Sequence, residues 1–483
     1  MLGAWNEGRS VVGNLRIVVS WSSALAGALC CLLLCPIDTA SAQETAAPTA
    51  PASEPAPATP PAPGADTLPE APVEEEAPPA PAPRSKAPSV TYAPPRVTEK
   101  DDREWRSKRQ IKFQRAQKAL AVSGAETKEL TDAGNHFVDR MSIPELVSDL
   151  PRLAIDPVRR AVDFCQPNPR AVLLKAITDR SIDLLAQKPS HPPDVQLSVV
   201  ILLGTLNAQP ATNSVPAAPY TGASKALITV LEDTTMPLQC RIAAASGLGR
   251  MGREARERVS LGDLSVVQRN EIATSLAKVL TSSEAQAMDE GHVWFRGRVA
   301  EALGDCGEAF DITKSSMFID ALMTTATNPQ ETLRVRAAAI RAATQTKWDV
   351  QVNFRLILSE TVKLSVEIAN ASNAAVTAKK PIPADLRHAN IDIYLAFQPK
   401  TDRQANIQNW GLLNQAKRNG LGGNAPAVQS AYAAVLPVVN TILTTGNKQI
   451  AVPPNLIAAE AEWIAANPPE NRKPTSVSPQ PVP

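Results

Sequence analysis

Histidine, cysteine and aromatic side chains are all scarce in this 483-residue chain, and each shortage removes a class of chemistry. The four histidines are His136, His191, His292 and His388, and none has a second histidine or a cysteine one helical turn away. Neither H-E-x-x-H nor a paired C-x-x-C nor a G-x-S-x-G elbow occurs, so locally encoded zinc sites and nucleophile elbows have no support. No metal or other cofactor is therefore expected. Of the six cysteines, Cys30, Cys31 and Cys35 sit in an N-terminal apolar run. That leaves Cys165, Cys240 and Cys306, an odd and scattered set with no disulfide framework. Aromatics make up 4% of the chain and no alternating strand pattern is sustained, which excludes a sandwich or barrel and points to an all-α fold. An excess of one charge is also missing. With 49 basic and 48 acidic residues the net charge is +1, so no global field draws nucleic acid or an anionic membrane.

Proline, by contrast, is concentrated: 16 of the 43 fall between Pro48 and Pro95. Residues 43–97 are too rich in Pro and Ala to build a core and are expected to form a disordered, semi-stiff linker. Ahead of it, residues 1–42 have the features of an export signal. Arg9 and Arg16 precede an apolar run from Ile17 to Cys35, and Ala40-Ser41-Ala42 supplies a cleavage pattern. Cleavage after Ala42 predicts a periplasmic or secreted protein. If retained, the run is long enough to anchor the chain in the inner membrane.

The rest of the chain carries an internal repetition. A pattern starting at Val195 recurs at Cys240, at Phe295 and more weakly at Val335. Its apolar places are Val195, Cys240, Phe295 and Val335, then Val199, Ala244, Val299 and Ala339, then Leu203, Leu248, Leu303 and Ala343. Steps of four keep one helix face buried. Each copy is preceded by a second helical pattern, at Ala223 to Leu231, Glu271 to Leu280, and Met317 to Met323 onward. Paired helices of this kind bury their apolar faces only by stacking on their neighbours. Gly204, Gly249 and Gly304 fall late in the second helix, where they permit close approach or an early stop, and Gly252 and Gly307 suit the turn beyond it.

The stretches Arg241-Ile-Ala-Ala-Ala-Ser-Gly-Leu-Gly-Arg-Met-Gly and Arg296-Gly-Arg-Val-Ala-Glu-Ala-Leu-Gly-Asp-Cys-Gly resemble the second helix of HEAT repeats, especially the short bacterial type also found in phycobilisome lyase subunits. The resemblance covers at most residues 150–350. It implies an α-solenoid whose second helices line a concave face for protein partners. It further implies that Arg241, Arg296 and Arg336 are structural, each bonding an acidic residue in the preceding turn, with Gln196 departing from the pattern. Copy starts at 196, 241, 296 and 336 place inserted loop at Arg253 to Asn270 and Thr281 to His292.

The resulting organisation is a signal over 1–42, a linker over 43–97, a basic capping helical segment over 98–140 and HEAT-like repeats over 141–350. Residues 351–467 read as degenerate helical repeats or a C-terminal cap, and 468–483 as a disordered tail. Gly247, Gly249 and Gly252 satisfy G-x-G-x-x-G spacing, but an alanine-rich helical pattern precedes them where a nucleotide site needs a strand.

One turn off the buried stripe, Ser246, Arg250, Glu301, Asp305, Arg341 and Gln345 are the candidate partner-binding face, with His292 and Trp294 as loop contacts. Their mixed signs suit a protein partner and not a nucleic-acid groove. From sequence, the function expected is an exported, non-enzymatic scaffold binding an envelope or secreted protein. The alternatives are a lyase-like or hydrolytic site assembled across repeats, and an envelope tether held by the N-terminus. A membrane enters only if the signal is retained.

Overall fold

Apolar residues spaced four apart dictate helices, and helices account for most of the described residues. The computed structural model describes residues 91–475 except 213, 214, 216, 258–263, 283–288, 399–410, 419 and 445–449, and leaves the side chains of 255–257 undescribed. The expected signal and nearly all of the expected linker lie outside these residues. All the described residues belong to one unit, Lys86–Pro483.

Its first three helices are α1 (Glu99–Lys108), α2 (Gln110–Gln117) and α3 (Gly124–Asp139). Thr98 with Asp101, and Ser123 with Glu126, close capping boxes that satisfy the first amides of α1 and α3. From Arg140 to Ile155 the chain winds through 3-10 and π turns before α4 (Asp156–Asp163). α5 (Pro167–Ala186) packs on α3, and α6 (Pro193–Thr205) comes next, each opened by a proline in its first turn. A two-stranded ribbon of β1 (Asn207–Gln209) and β2 (Ala218–Pro219) interrupts the helices.

Beyond the ribbon lie α7 (Ser224–Glu232), α8 (Leu238–Glu257), α9 (Val266–Thr281), α10 (Glu290–Cys306), α11 (Met317–Thr327), α12 (Leu333–Gln345), α13 (Phe354–Thr377) and α14 (Ala384–Phe397). α8 packs between α6 and α10, α10 between α8 and α12, and α12 between α10 and α14. α7, α9, α11 and α13 adjoin one another in the same order, and each also packs on the next helix in the chain. All twelve apolar places of the repeated pattern, from Val195 to Ala343, are buried. They sit in one continuous core cluster, save Val335, which is buried beside it.

Small residues set how closely the even-numbered helices cross. A Cβ on Gly204 would lie 3.0 Å from Gly247 Cα, and one on Gly304 would lie 2.7 Å from Ala342 Cα. The first distance is tighter than nearly all real Cβ contacts and the second is closer than real Cβ atoms come, so these glycines are crossing points. Gly252 corrects its expected place in a turn, since α8 runs on to Glu257 and Gly252 packs on Cys306 instead. Gly307 does cap α10, in a left-handed conformation at φ 76°.

The three arginines occupy buried positions and each donates to the end of the helix before it, and the acids that Arg296 and Arg336 bond differ from those the resemblance implies. Arg241 Nε donates to the Leu231 carbonyl at 2.9 Å, Arg296 Nη1 to Leu280 at 3.0 Å and Arg336 Nε to Ala326 at 2.9 Å. These are carbonyls at the ends of α7, α9 and α11, groups a helix terminus leaves unsatisfied. The acids come from further on in the chain: Glu331 for Arg296 and Glu367 for Arg336, while Arg241 lies over the Phe295 ring at 4.7 Å. At the corresponding first position Gln196 donates its amide to the His191 carbonyl at 2.6 Å.

The C-terminal part comprises the short α15 (Leu412–Gln415), α16 (Ala425–Thr444) and α17 (Pro454–Ala466), the last two packed on α13. α16 is long and apolar enough to cross a membrane, but composition of that kind also marks a core helix, and Val428, Ala431, Val435, Val438, Val439 and Ile442 are buried here. Beyond α17 the expected structureless tail is corrected as far as Thr475. Asn353 N donates to the Pro474 carbonyl at 2.8 Å and Asn353 Nδ2 to the Lys473 carbonyl at 3.0 Å, tying the segment to the start of α13.

Candidate functional site

On α10, residues 294, 298, 301 and 305 share one stripe, because offsets of four, seven and eleven return to the same side of a helix. The opposite stripe, Phe295, Val299, Leu303 and Cys306, is in the core and fixes the orientation of the helix. Trp294 is therefore turned outward and remains 44% exposed. Arg298, Glu301 and Asp305 are partly exposed beyond it. On α12 the same logic aligns Arg334, Arg341 and Gln345, and on α14 His388 and Asp392.

These stripes meet in a charge network spanning three helices. Arg298 Nη1 lies 2.7 Å from Glu301 Oε2, while Arg334 and Arg341 approach Glu301 Oε1 at 3.8 and 3.9 Å. Arg341 Nη1 donates to Asp392 Oδ1 at 3.0 Å, and Arg334 bonds the other Asp392 oxygen. Burial pushes the Glu301 carboxyl up, but Arg298, Arg341 and Arg334 more than offset it and hold the group below the usual carboxylate range. Burial likewise opposes the Arg341 charge, and Asp392 and Glu301 outweigh it, holding the guanidinium above its ordinary value. Burial, then the Arg334 charge, keeps His388 below its ordinary value.

A carboxylate set among three guanidinium groups in this way stays ionised at neutral pH. A general acid for neutral pH needs the opposite bias. Among the described residues, no group of three or more His, Cys, Asp or Glu is arranged to hold a metal ion. Burial raises the thiols of Cys165 to about 11 and Cys240 to about 12, so both are protonated and poor nucleophiles at neutral pH.

The eight residues singled out from sequence are thus unequal. Glu301 and Arg341 come together. Asp305 turns toward α8, where Arg253 lies 3.2 Å from its Oδ2. Arg250 points back along α6: its Nη1 donates to the Gly204 carbonyl at 3.1 Å and its Nη2 to Asn207, bracing a helix end that needs donors. Ser246 is exposed, its hydroxyl returned to the Ile242 carbonyl at 2.9 Å. Gln345 is half-buried at the end of α12. His292 belongs to the first turn of α10 and bonds the N-cap residue Asp289, so it and Trp294 sit on the helix, not on a loop.

Sequence reasoning missed Arg298, Arg334 and Asp392. Arg298 and Arg334 had a signal, three residues before Glu301 and seven before Arg341 on the same faces. Asp392 had none, because its helix lies beyond the repeated pattern.

A second polar cluster joins α1 to α3. Asp102 accepts from His136 Nε2 at 3.0 Å and from Arg106 Nη2 at 2.7 Å, with Arg140 Nε at 3.0 Å. Burial pushes its carboxyl up, but the His136 hydrogen bond and the Arg140 and Arg106 charges prevail and bring it down to about 2. The Trp105 ring stacks on His136 with centroids 4.4 Å apart, at the edge of a shallow cleft that Asp101, Glu104, Lys108 and Arg109 complete. The contacts of Asp102 with His136, Arg106 and Arg140 pin α1 in place, while Trp105 Nε1 and Arg140 Nε are buried without a hydrogen-bond partner among the described residues. Comparison with known protein families, curated proteins and solved structures returns no match.

Proposed function

We propose that this chain is an exported, non-catalytic scaffold, a HEAT-like α-solenoid that holds a protein partner on the ridge formed by α8, α10, α12 and α14. The observation that carries the reading is the stripe on α10: a large exposed aromatic, Trp294, bordered by a fixed polar network of alternating sign. Interfaces are anchored by aromatic and arginine side chains set among polar contacts, and a prearranged network loses little freedom on binding. The HEAT-like assignment is supported by the buried places of the repeated pattern, the alternating order of helix contacts and the arginines that cap preceding helix ends. The arginine clamps on Glu301 and Asp392 favour a binding role over acid–base catalysis. Export rests on residues 1–42 of the sequence.

The test is site-specific photocrosslinking in native envelope fractions, with the probe placed at 246, 294, 298 or 345 and controls at the exposed Lys225 and Lys278 on the other helix row. A discrete adduct from the ridge positions alone supports the reading. Equal labelling from both rows, or none from the ridge, overturns it.

A further inference from the structure

We propose that α2, the turn after it and the end of α4 form a docking face for a bilayer surface bearing anionic lipid headgroups. Phe113, Ala116 and Gln117 bury one side of α2, which turns Ile111, Arg115 and Lys118 directly away from the protein. Three hydrogen bonds then bring a second segment alongside. Gln117 Nε2 donates to the Ala161 carbonyl at 2.6 Å, Gln166 N to the Gln117 carbonyl at 2.9 Å, and Asn168 Nδ2 to the Leu120 carbonyl at 2.9 Å. Leu120 and Phe164 therefore flank one seam, and they are 83% and 78% exposed, with Ile111 at 62%. No other large apolar side chains of the described residues are as exposed as Leu120 and Phe164.

Charge completes the surface. Neighbouring cations are occupied: Arg103 by Glu99, Lys108 by Glu104, Arg109 by Asp132 and Arg159 by Asp156. Lys112, Arg115, Lys118 and Arg160 are exposed and have no side-chain hydrogen bond or ion pair among the described residues. Asp163, the acid adjoining Phe164, is half-buried. Cations that no protein carboxylate neutralises, set around bare apolar side chains, match an interface that is anionic outside and hydrocarbon within. A soluble polyanion offers Leu120 and Phe164 no apolar phase, so the apolar residues select the bilayer. The face lies on other helices than the ridge proposed for the protein partner, and neither depends on the other.

The experiment is hydrogen exchange of the full chain, resolved to peptides over 109–121 and 159–168, with vesicles of phosphatidylglycerol in phosphatidylcholine or of phosphatidylcholine alone. Local readout separates this face from the apolar run near the N-terminus. Protection of both segments only on the anionic vesicles is expected. The triple variant Lys112→Gln, Arg115→Gln, Lys118→Gln should bring a drop of roughly 100-fold in the vesicle affinity read from that protection. Leu120→Ser with Phe164→Ser should also weaken it, and all five positions are surface sites whose variants keep the wild-type melting temperature. Equal protection on both vesicle types, no protection, or unaltered behaviour of either variant overturns the proposal. So does equal protection by polyphosphate that survives Leu120→Ser with Phe164→Ser, since a polyelectrolyte is then the occupant.

Discussion

The Ser365 hydroxyl of α13 donates to Glu460 Oε1 of α17 at 2.6 Å, and the other carboxyl oxygen is buried without a hydrogen-bond partner. Burial pushes this carboxyl from 4.5 up to about 8, with the Ser365 bond pulling partly back. The folded chain therefore binds this proton more tightly than the unfolded chain. Stability from Glu460 is full below the unfolded value and declines as pH rises through the interval up to about 8, by at most about 1.4 kcal/mol per pH unit. Glu460→Gln should remove that slope and exceed wild type above pH 8, as urea denaturation at a series of pH values would show.

Asp102 acts in the opposite sense. Its carboxyl is lowered from 3.8 to about 2, so its contribution is present above 3.8 and is lost as pH falls toward 2. Asp102→Asn should flatten the acid limb of the same titration while leaving the alkaline limb unchanged.

The crossing at Gly304 is a packing constraint on α10 and α12. Gly304→Val should cost about 1–3 kcal/mol, since the Ala342 backbone cannot retreat as a flexible side chain would. Gly124, which meets nothing within 4 Å, is the control, and Gly124→Ala should stay within about 0.5 kcal/mol of wild type. Thermal melts of the two variants compare them directly.

Arg296 and Glu331 form a buried pair. Glu331→Leu alone should cost about 3–5 kcal/mol by stranding the guanidinium, whereas Arg296→Met with Glu331→Leu should recover much of the loss. A double-mutant cycle by chemical denaturation measures both.

Trp294→Ala should weaken capture of the crosslinked partner by about 2 kcal/mol or more while changing the melting temperature far less than a core substitution, because the half-exposed ring is not part of the core cluster. Titration of the purified partner by calorimetry would establish it.

The buried stripe was legible in sequence because one helical period repeated in four places, and Leu203, Leu248 and Leu303 all lie without exposure. The outward stripe was legible only in part. Periodicity says which side Arg250 and Glu301 leave by, but side chains that long are placed by whichever unsatisfied group is nearest. For Arg250 that group is the end of α6, and for Glu301 a set of arginines from two helices. Asp392 and Glu460 carry no local pattern, and their importance arises from helices brought together across 51 residues to Arg341 and 95 to Ser365.

The buried arginines give the stack a direction. Arg241 reaches to Phe295, Arg296 to Glu331 and Arg336 to Glu367, each time toward a later segment of the chain. Trimming from the carboxyl side before 331 or 367 takes away the acid and the helices that cover the arginine, while trimming from the amino side removes the cation together with its hairpin. During synthesis the helices bearing Arg296 and Arg336 therefore emerge before the acids that pair with them.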